Sequence, residues 1–524
     1  MATLNLASIL DDSAAKYGDR TALVLGDTRL SYAQLNGAAS QVANLLVERG
    51  IKPGDKIALS CPNLPYFSIV YFGILKAGAT VVPLNVLLKG REVAYHLNDS
   101  EAKAVFAFQG TPDLAIGAEC YEGFKGAEGC EHFFMITADP TAASPIEGTE
   151  TLGQGMAGKS PAFETVATDE DDTAVILYTS GTTGQPKGAE LRHRNMHSNQ
   201  EASRELFGLD AEKPDTALVV LPLFHSFGQT AIHNATIANG GTLVLLPRFE
   251  QNAALGLMVK EKVTLFGGVP TMYVGLLAAA AENPEFAGHV KDSLRVAVAG
   301  GAALPVAVHQ QVEQTFGIAV LEGYGLSETS PVASFAVPGE PIRVGSIGKP
   351  IPGVSMKLID SETGADLPEG DPELVGEIAI KGPNVMKGYY NRPDATAEAI
   401  DADGWFRSGD LARKDEDGWY YIVDRSKDMI IRGGFNVYPR ELEEVLSTHP
   451  AIAMAAVIGV PHDTHGEEIK AVVVLKPGAE ATGDEIQAWM KEQVAAYKYP
   501  RIVEVVPSLP MTATGKILKR EIPR

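Results

Sequence analysis

Between Thr179 and Gly188 the chain reads TSGTTGQPKG. Thr179, Ser180, Gly181, Thr182, Thr183, Gly184 and Lys187 bring hydroxyls, glycines and a cation into one short loop. Glycines let backbone N–H groups converge on an anion, hydroxyls add donors, and the lysine adds charge. The spacing differs from GxxxxGK[ST], so this is not a Walker A loop, although its chemistry suits a polyphosphate. A plain glycine-rich turn is the bland alternative. The β-rich run TAVILY ends at Tyr178, just before the loop, and a helix is expected just after it. A second Gly-Lys pair lies in MTATGKILKREIPR, around Lys516. From the residues alone it is half a phosphate loop, a solvated basic tail at a dispensable end, or a part delivered to a site elsewhere.

Other residues carry chemistry less openly. EGYGLSETSP joins a strand end to a polar turn and holds Tyr324 and Glu328. Alone, that glutamate reads as solvated and that tyrosine as core. Asp410 and Arg425 read as surface charges, although an aspartate is able to accept both hydroxyls of a ribose. His225 follows the apolar run of LPLFHSFG and reads as a satisfied histidine at a strand end.

The elements that must position these residues alternate. SYAQLNGAASQVANLLVERG sets Leu35, Val42, Leu45 and Leu46 on one helical face, opened by Ser31 and closed by Gly50. KIALS and TVVPLN read as strands flanking the buried helix YFSIVYFGILKAGA, and TLVLL, VTLFGG, LRVAVAGG and AVLEGYG continue the pattern. Such alternation predicts parallel, doubly wound α/β layers, with ligands beyond the carboxyl ends of the strands. The turns after TAVILY, LRVAVA and IAVLEG are therefore candidate site walls. After about residue 335, VGSIGKPIPGVSMKLID and LVGEIAIKGPNVMKGYY predict a small β-subdomain with Gly and Pro punctuation. DRSKD then leads into a compact α+β unit of about 100 residues, the size of a small domain. The expected division is 1–423, a hinge at 424–428, and 429–524.

Composition fits a soluble globular protein of more than one domain: 524 residues, 45% hydrophobic and 21% charged. A formal net charge of -22 disfavours a nucleic-acid partner and gives no reason to expect an anionic membrane. Cys61, Cys120 and Cys130 lack metal-ligand spacing and fit a reducing cytoplasm. No signal pattern opens the chain, and no apolar run approaches the roughly 18 residues of a membrane span.

The loop TSGTTGQPKG resembles the phosphate-loop signature of the adenylate-forming superfamily, which includes acyl-CoA synthetases, luciferase-like enzymes and the adenylation domains of peptide synthetases. GILKAGATVVPLN, LPLFHSFG, EGYGLSETSP, GWFRSGDLARKDEDGWYYIVDRSKD, GGFNVYPRELEEVL and PMTATGKILKRE resemble its other signatures, in the family's order across nearly the whole chain. The resemblance implies a large N-terminal domain of two doubly wound α/β subdomains and a small β-barrel-like subdomain, followed by a small mobile α+β domain. It implies ATP and CoA as co-substrates and Mg²⁺ held by Glu328 and Thr179; a carboxylate is a hard ligand suited to that ion. Tyr324 would stack on adenine between Gly323 and Gly325, Asp410 would take the ribose with Arg425 nearby, and Gly301, Ala302, Glu322 and Thr329 would complete the nucleotide site. Lys516 fits the family's catalytic lysine. Lys427 would be the hinge, with Arg432, Gly434 and Phe435 lining the path of the CoA thiol.

His225 would lie beside the substrate carboxylate. Amino-acid-activating relatives carry an aspartate in this motif, whereas Phe224-His225-Ser226-Phe227 has none, which argues against a substrate ammonium in a dry pocket. By resemblance the acyl pocket involves FGQTAI, GGVPTMY, AGGAA and EGYG, including Phe227, Gly228, Gly300 and Gly325. These stretches contain no arginine or lysine, which disfavours a dicarboxylate. EGYGLSETSP most resembles bacterial medium- and long-chain fatty acyl-CoA ligases. Arylpropenoate ligases of the 4-coumarate or ferulate type, and acyl-AMP ligases that load a carrier protein, stay open. So does a homodimer, the common oligomer.

Overall fold

The computed structural model describes residues 3–179, 185–433, 435–462, 464–512 and 515–524. Three sheets build the large domain. One has nine strands, ordered Lys349–Pro350, Val332–Phe335, Val320–Gly325, Val296–Ala299, Leu265–Gly268, Thr216–Val219, Thr242–Leu245, Thr21–Leu25 and Thr28–Ser31. A second has eight, ordered Gly388–Tyr389, Lys187–Arg192, Thr173–Thr179, Thr80–Pro83, Lys56–Ser60, Ala102–Phe108, His132–Ile136 and Glu150–Thr151. Their centres are parallel and fully buried, as in Val296–Ala299 and Thr80–Pro83, because helices cover both faces of such sheets. Helix Tyr32–Glu48 buries Leu35, Val42, Leu45 and Leu46, and Ser31 caps it by accepting from the Gln34 N–H. The buried helix Pro65–Lys76 packs against it so closely that a Cβ on Gly73 would stand 2.5 Å from Val42 Cβ.

Both parallel sheets end in antiparallel pairs, and these ends meet at the site. Val320–Gly325 pairs antiparallel with Val332–Phe335. Thr173–Thr179 pairs antiparallel with Lys187–Arg192, and that strand in turn with Gly388–Tyr389. The chain on either side of the Thr179–Lys187 interval therefore forms paired antiparallel strands, where a strand followed by a helix was expected. The expected helix starts only at His193. KGAELR is a strand because Ala189 and Leu191 bury on one face while Glu190 takes a hydrogen bond from the Thr173 hydroxyl, 2.8 Å. The segment ending in MKGYY, expected in the small β-subdomain, is shared: Gly376–Lys381 belongs there, whereas Gly388–Tyr389 returns to the eight-stranded sheet.

The β-subdomain consists of antiparallel strands Ser355–Ile359, Gly376–Lys381, Phe406–Lys414 and Tyr420–Arg425. The small α+β domain sets helices Pro439–Ser447 and Gly483–Gln493 on a five-stranded sheet with its own core of Leu442, Leu446, Val457, Ile469, Ile486 and Met490. A second small cluster joins Ile458, Val460 and Leu509 to Ile522, so the terminal segment is packed. At the junction, the Ser426 N–H donates to the Gly409 carbonyl at 3.0 Å, and the Arg440 N–H donates to the Asp424 carboxylate at 2.9 Å. No helix among the described residues is long and apolar enough to cross a membrane.

Candidate active site

Strand Val320–Gly325 and the turn after it supply Tyr324 and Glu328; the hairpin Phe406–Lys414 and Tyr420–Arg425 supplies Asp410 and Arg425. Asp410 and Arg425 face each other in register across that hairpin. The Arg425 Nε lies 3.2 Å from Asp410 Oδ1, and the Tyr324 hydroxyl donates to Asp410 Oδ2 at 2.6 Å. Burial, reinforced by the Asp410 charge, drives the Tyr324 phenol well above its ordinary value. These three residues form one polar cluster with an aromatic ring at its edge.

Glu328 is buried, and desolvation raises its carboxyl above the usual range. The Tyr389 hydroxyl donates to its Oε1 at 2.9 Å, and the neighbouring Thr179 hydroxyl also favours the carboxylate. The Met386 N–H donates to the Glu328 carbonyl at 2.8 Å. Lys187 holds its Nζ 5.0 Å from the centre of the Tyr389 ring, a cation–π distance. Tyr389 therefore ties Glu328 to the hairpin that carries Thr179 and Lys187. Ser180, Gly181, Thr182, Thr183 and Gly184 lie outside the described residues, as does Gly434.

The small domain brings Lys516 to this cluster. A Cβ on Gly301 would stand 3.2 Å from the Lys516 Cε, and one on Gly515 would stand 3.0 Å from the Thr271 hydroxyl. Both glycines have left-handed φ, 81° and 78°, so the approach depends on glycine at each place. The turn is closed by Lys516 itself, whose N–H donates to the Thr512 hydroxyl and whose carbonyl accepts from the Thr512 N–H. Burial and the nearby Arg425 lower the Lys516 ammonium below its ordinary value, while Asp410 and Glu328 oppose them. His225, at the foot of the helical turn Phe227–Asn234, is pushed down to about 4 by burial and by Lys516, and is neutral at pH 7. Its Nδ1 accepts from the Phe227 N–H at 3.4 Å.

Several expected residues are placed otherwise. The Thr329 hydroxyl turns inward to the Leu326 and Pro331 carbonyls. The Glu322 carboxylate accepts from the Gly345 and Leu304 N–H groups at 3.1 and 3.3 Å. It braces two loops instead of facing a ligand. Gly300 lies against Phe227: a Cβ there would stand 3.0 Å from the Phe227 ring. At Gly228 and Gly325 a Cβ would collide with the Pro222 carbonyl oxygen at 2.6 Å and the Pro331 carbonyl oxygen at 1.9 Å, so backbone packing explains both glycines. Ala302 is exposed beside Gly301. Arg432 is held by Glu468 through two contacts of 2.6 and 2.9 Å. Phe435 and Lys427 face solvent.

Tyr389 was missed by sequence reasoning. An aromatic pair in MKGYYNRP, after a glycine and before Asn-Arg-Pro, was the available signal.

The profile of the AMP-binding enzyme family matches residues 10–390, and that of the AMP-binding enzyme C-terminal domain matches residues 441–516. The chain is 37% identical to a long-chain-fatty-acid–CoA ligase of Bacillus subtilis, covering 99% of this chain and 94% of the relative. It is 38% identical to a feruloyl-CoA synthase of an Amycolatopsis species, covering 96% and 95%. The structure of ATP-bound MatB from Rhodopseudomonas palustris superposes with a TM-score of 0.88 at 34% identity, covering 99% of this chain and 98% of that one.

Proposed function

The chain belongs to the AMP-binding enzyme family and is an acid–thiol ligase forming acyl-CoA from a small-molecule acid, ATP and CoA; we propose that its acid is a medium- or long-chain monocarboxylic acid, activated through an acyl-AMP. The observation that carries the mechanism is Lys516: a cation from the small domain set beside His225, Gly301 and the Asp410–Arg425 pair.

In the first step an oxygen of the acid attacks the α-phosphorus of ATP, the bond to the bridging oxygen breaks, and pyrophosphate leaves. Negative charge gathers at phosphorus, so positioning and fixed electrostatics lower the barrier. Lys516 supplies the ammonium facing that charge. Neutral His225 flanks the carboxylate without adding charge. Thr179 and Lys187 hold the terminal phosphates, Asp410 takes the ribose hydroxyls, and the Tyr324 ring offers a face to the base. Glu328 and Thr179 suit Mg²⁺: they set a carboxylate and a hydroxyl side by side, and a dication held there would offset the burial that raises the Glu328 carboxyl. No group of three His, Cys, Asp or Glu that would hold a metal occurs among the described residues. A two-oxygen site leaves room for water and phosphate oxygens, as magnesium prefers. When bound, that ion would neutralise charge on the leaving phosphates.

In the second step the CoA thiol attacks the acyl carbon and AMP leaves. The small domain would turn about Lys427, withdrawing Lys516 and presenting Arg432, Gly434 and Phe435 to the thiol's path. Hinges often sit at element ends that absorb large dihedral changes, and Lys427 lies in the turn after strand Tyr420–Arg425.

An aliphatic acid is favoured by the long-chain ligase relative. The feruloyl-CoA synthase relative supports an arylpropenoate as the second reading. ATP–pyrophosphate exchange across short aliphatic, long-chain and hydroxycinnamic acids, together with thioester formation on CoA or on an acyl-carrier protein, tests both. Highest kcat/KM is expected with medium- or long-chain acids and CoA. Preference for hydroxycinnamates overturns the aliphatic reading, and preference for the carrier protein overturns the CoA reading.

A further inference from the structure

Helix Gly90–Asp99 breaks a local rule: it ends on an acidic residue that is also buried. A carboxylate at a helix C-terminus opposes the helix dipole, and a buried one needs partners. Asp99 has them, and they come from far along the chain. Its Oδ2 accepts from the Tyr178 hydroxyl at 2.8 Å, and its Oδ1 pairs with the Arg392 guanidinium. One turn earlier, the Tyr95 hydroxyl donates to the Pro186 carbonyl at 2.7 Å. The His96 ring packs against the Tyr178 ring, centres 4.3 Å apart. Just past the helix, Glu101 accepts from the Tyr390 hydroxyl at 2.6 Å while holding a left-handed φ of 56°.

Each partner lies beside a residue of the site. Tyr178 precedes Thr179, Pro186 precedes Lys187, and Tyr390 follows Tyr389, the partner of Glu328. Arg392 is on the same turn. One helix thus grips both stems of the hairpin and the segment that carries Tyr389, although it supplies no group to the site itself. A local rule broken and compensated by contacts 79 and 293 residues away marks a position kept for what it holds.

We propose that Asp99, with Tyr95 and Arg392, is a positioning unit for the ATP-dependent half-reaction, fixing where Thr179, Lys187 and Glu328 stand. This rests on the reading of those three residues as the phosphate and magnesium site. The second half-reaction has no terminal phosphates to hold, so it is insensitive to this unit. A general loss of folding has no such asymmetry.

The test measures ATP–pyrophosphate exchange and, separately, conversion of supplied acyl-AMP to acyl-CoA. It uses Asp99→Asn, Tyr178→Phe, Arg392→Lys and Arg392→Ala, with Glu328→Gln as reference. Asp99→Asn is expected to lower exchange about 10- to 100-fold, the range for supports of a charged site. Thioester formation should stay within about twofold of the parent, and Arg392→Lys should retain more exchange than Arg392→Ala. Equal loss in both half-reactions, or unchanged exchange, overturns the proposal. If Asp99→Asn fails to fold, Tyr178→Phe decides, since it removes only a hydroxyl. If Glu328→Gln itself leaves exchange intact, the reading of the phosphate site falls, and the proposal with it. If only the reference loses exchange, the positioning unit alone is refuted.

Discussion

The small domain presents two differently finished surfaces. The turn around Lys516 is docked: its backbone is hydrogen-bonded to Thr512, and its side chain lies among Gly301, His225 and the Asp410–Arg425 pair. In the hairpin Ile430–Arg432 and Phe435–Val437, no hydrogen bond or ion pair of the described residues reaches the large domain's site. Ile431 is 50% exposed and Phe435 57%, Phe435 leans on the Tyr497 ring, and Arg432 is neutralised by Glu468. Exposed apolar residues grouped on one hairpin need a reason, and contact surfaces are the usual one. The contrast teaches that, in this arrangement, one surface of the domain is engaged with the large domain and the other is not. This is the physical content of the proposed rotation.

The largest effect expected is on the docked surface. Lys516→Ala should lower ATP–pyrophosphate exchange by about 10²- to 10³-fold, the scale of losing one fixed charge at a developing anion. It should still convert supplied acyl-AMP to acyl-CoA. Exchange near the parent rate breaks the comparison at its root. The junction comes next. Lys427→Pro should leave exchange within about twofold and depress thioester formation about tenfold or more, because proline fixes φ at the proposed pivot. Among the described residues no acceptor takes the Lys427 N–H, so the change removes no hydrogen bond there. Equal loss of both half-reactions would count against a hinge.

The smallest effect is in pH. Burial and Arg425 lower the Lys516 ammonium, so the cation is lost as pH rises through a value below the ordinary 10.5. Exchange should decline along an alkaline limb set by that value, and Lys516→Arg, whose charge persists, should move the limb upward. His225, held at about 4 by burial and Lys516, should contribute no limb near 6.5. A limb at 6.5 that disappears in His225→Gln would sink that assignment.

The elements were legible because periodicity and turn chemistry are local. Ser31 and the helix it caps, the strands KIALS and TVVPLN, and the compact C-terminal unit stand where the residues place them. The antiparallel pairing of Thr173–Thr179 with Lys187–Arg192 was not legible. KGAELR carries charges at Lys187, Glu190 and Arg192, and its strand character comes from pairing with Thr173–Thr179. In the site, Asp410 and Arg425 read as surface charges from the residues alone, because their partnership is a matter of register across two strands. Asp99 is harder still, since a polar helix end looks solvated until Tyr178 and Arg392 fold onto it. Thr329 and Glu322 show the converse. They lie within a site motif, but the local backbone takes up their polar atoms.

Of the two hydrogen bonds at the junction, Ser426 to Gly409 lies wholly before Lys427, whereas Arg440 to Asp424 spans it and sets an energy scale for a turn about that residue. If that bond must open for the small domain to turn about Lys427, it biases the docked arrangement by about 1.5–3 kcal/mol, the scale of a hydrogen bond to a charged group. That corresponds to a population ratio of roughly ten to a hundred. Differential affinity of the same size, between the pose that binds ATP and the pose that binds CoA, is enough to reverse the balance. The undocked arrangement is then a minor resident of the free enzyme, within reach of whichever nucleotide is bound.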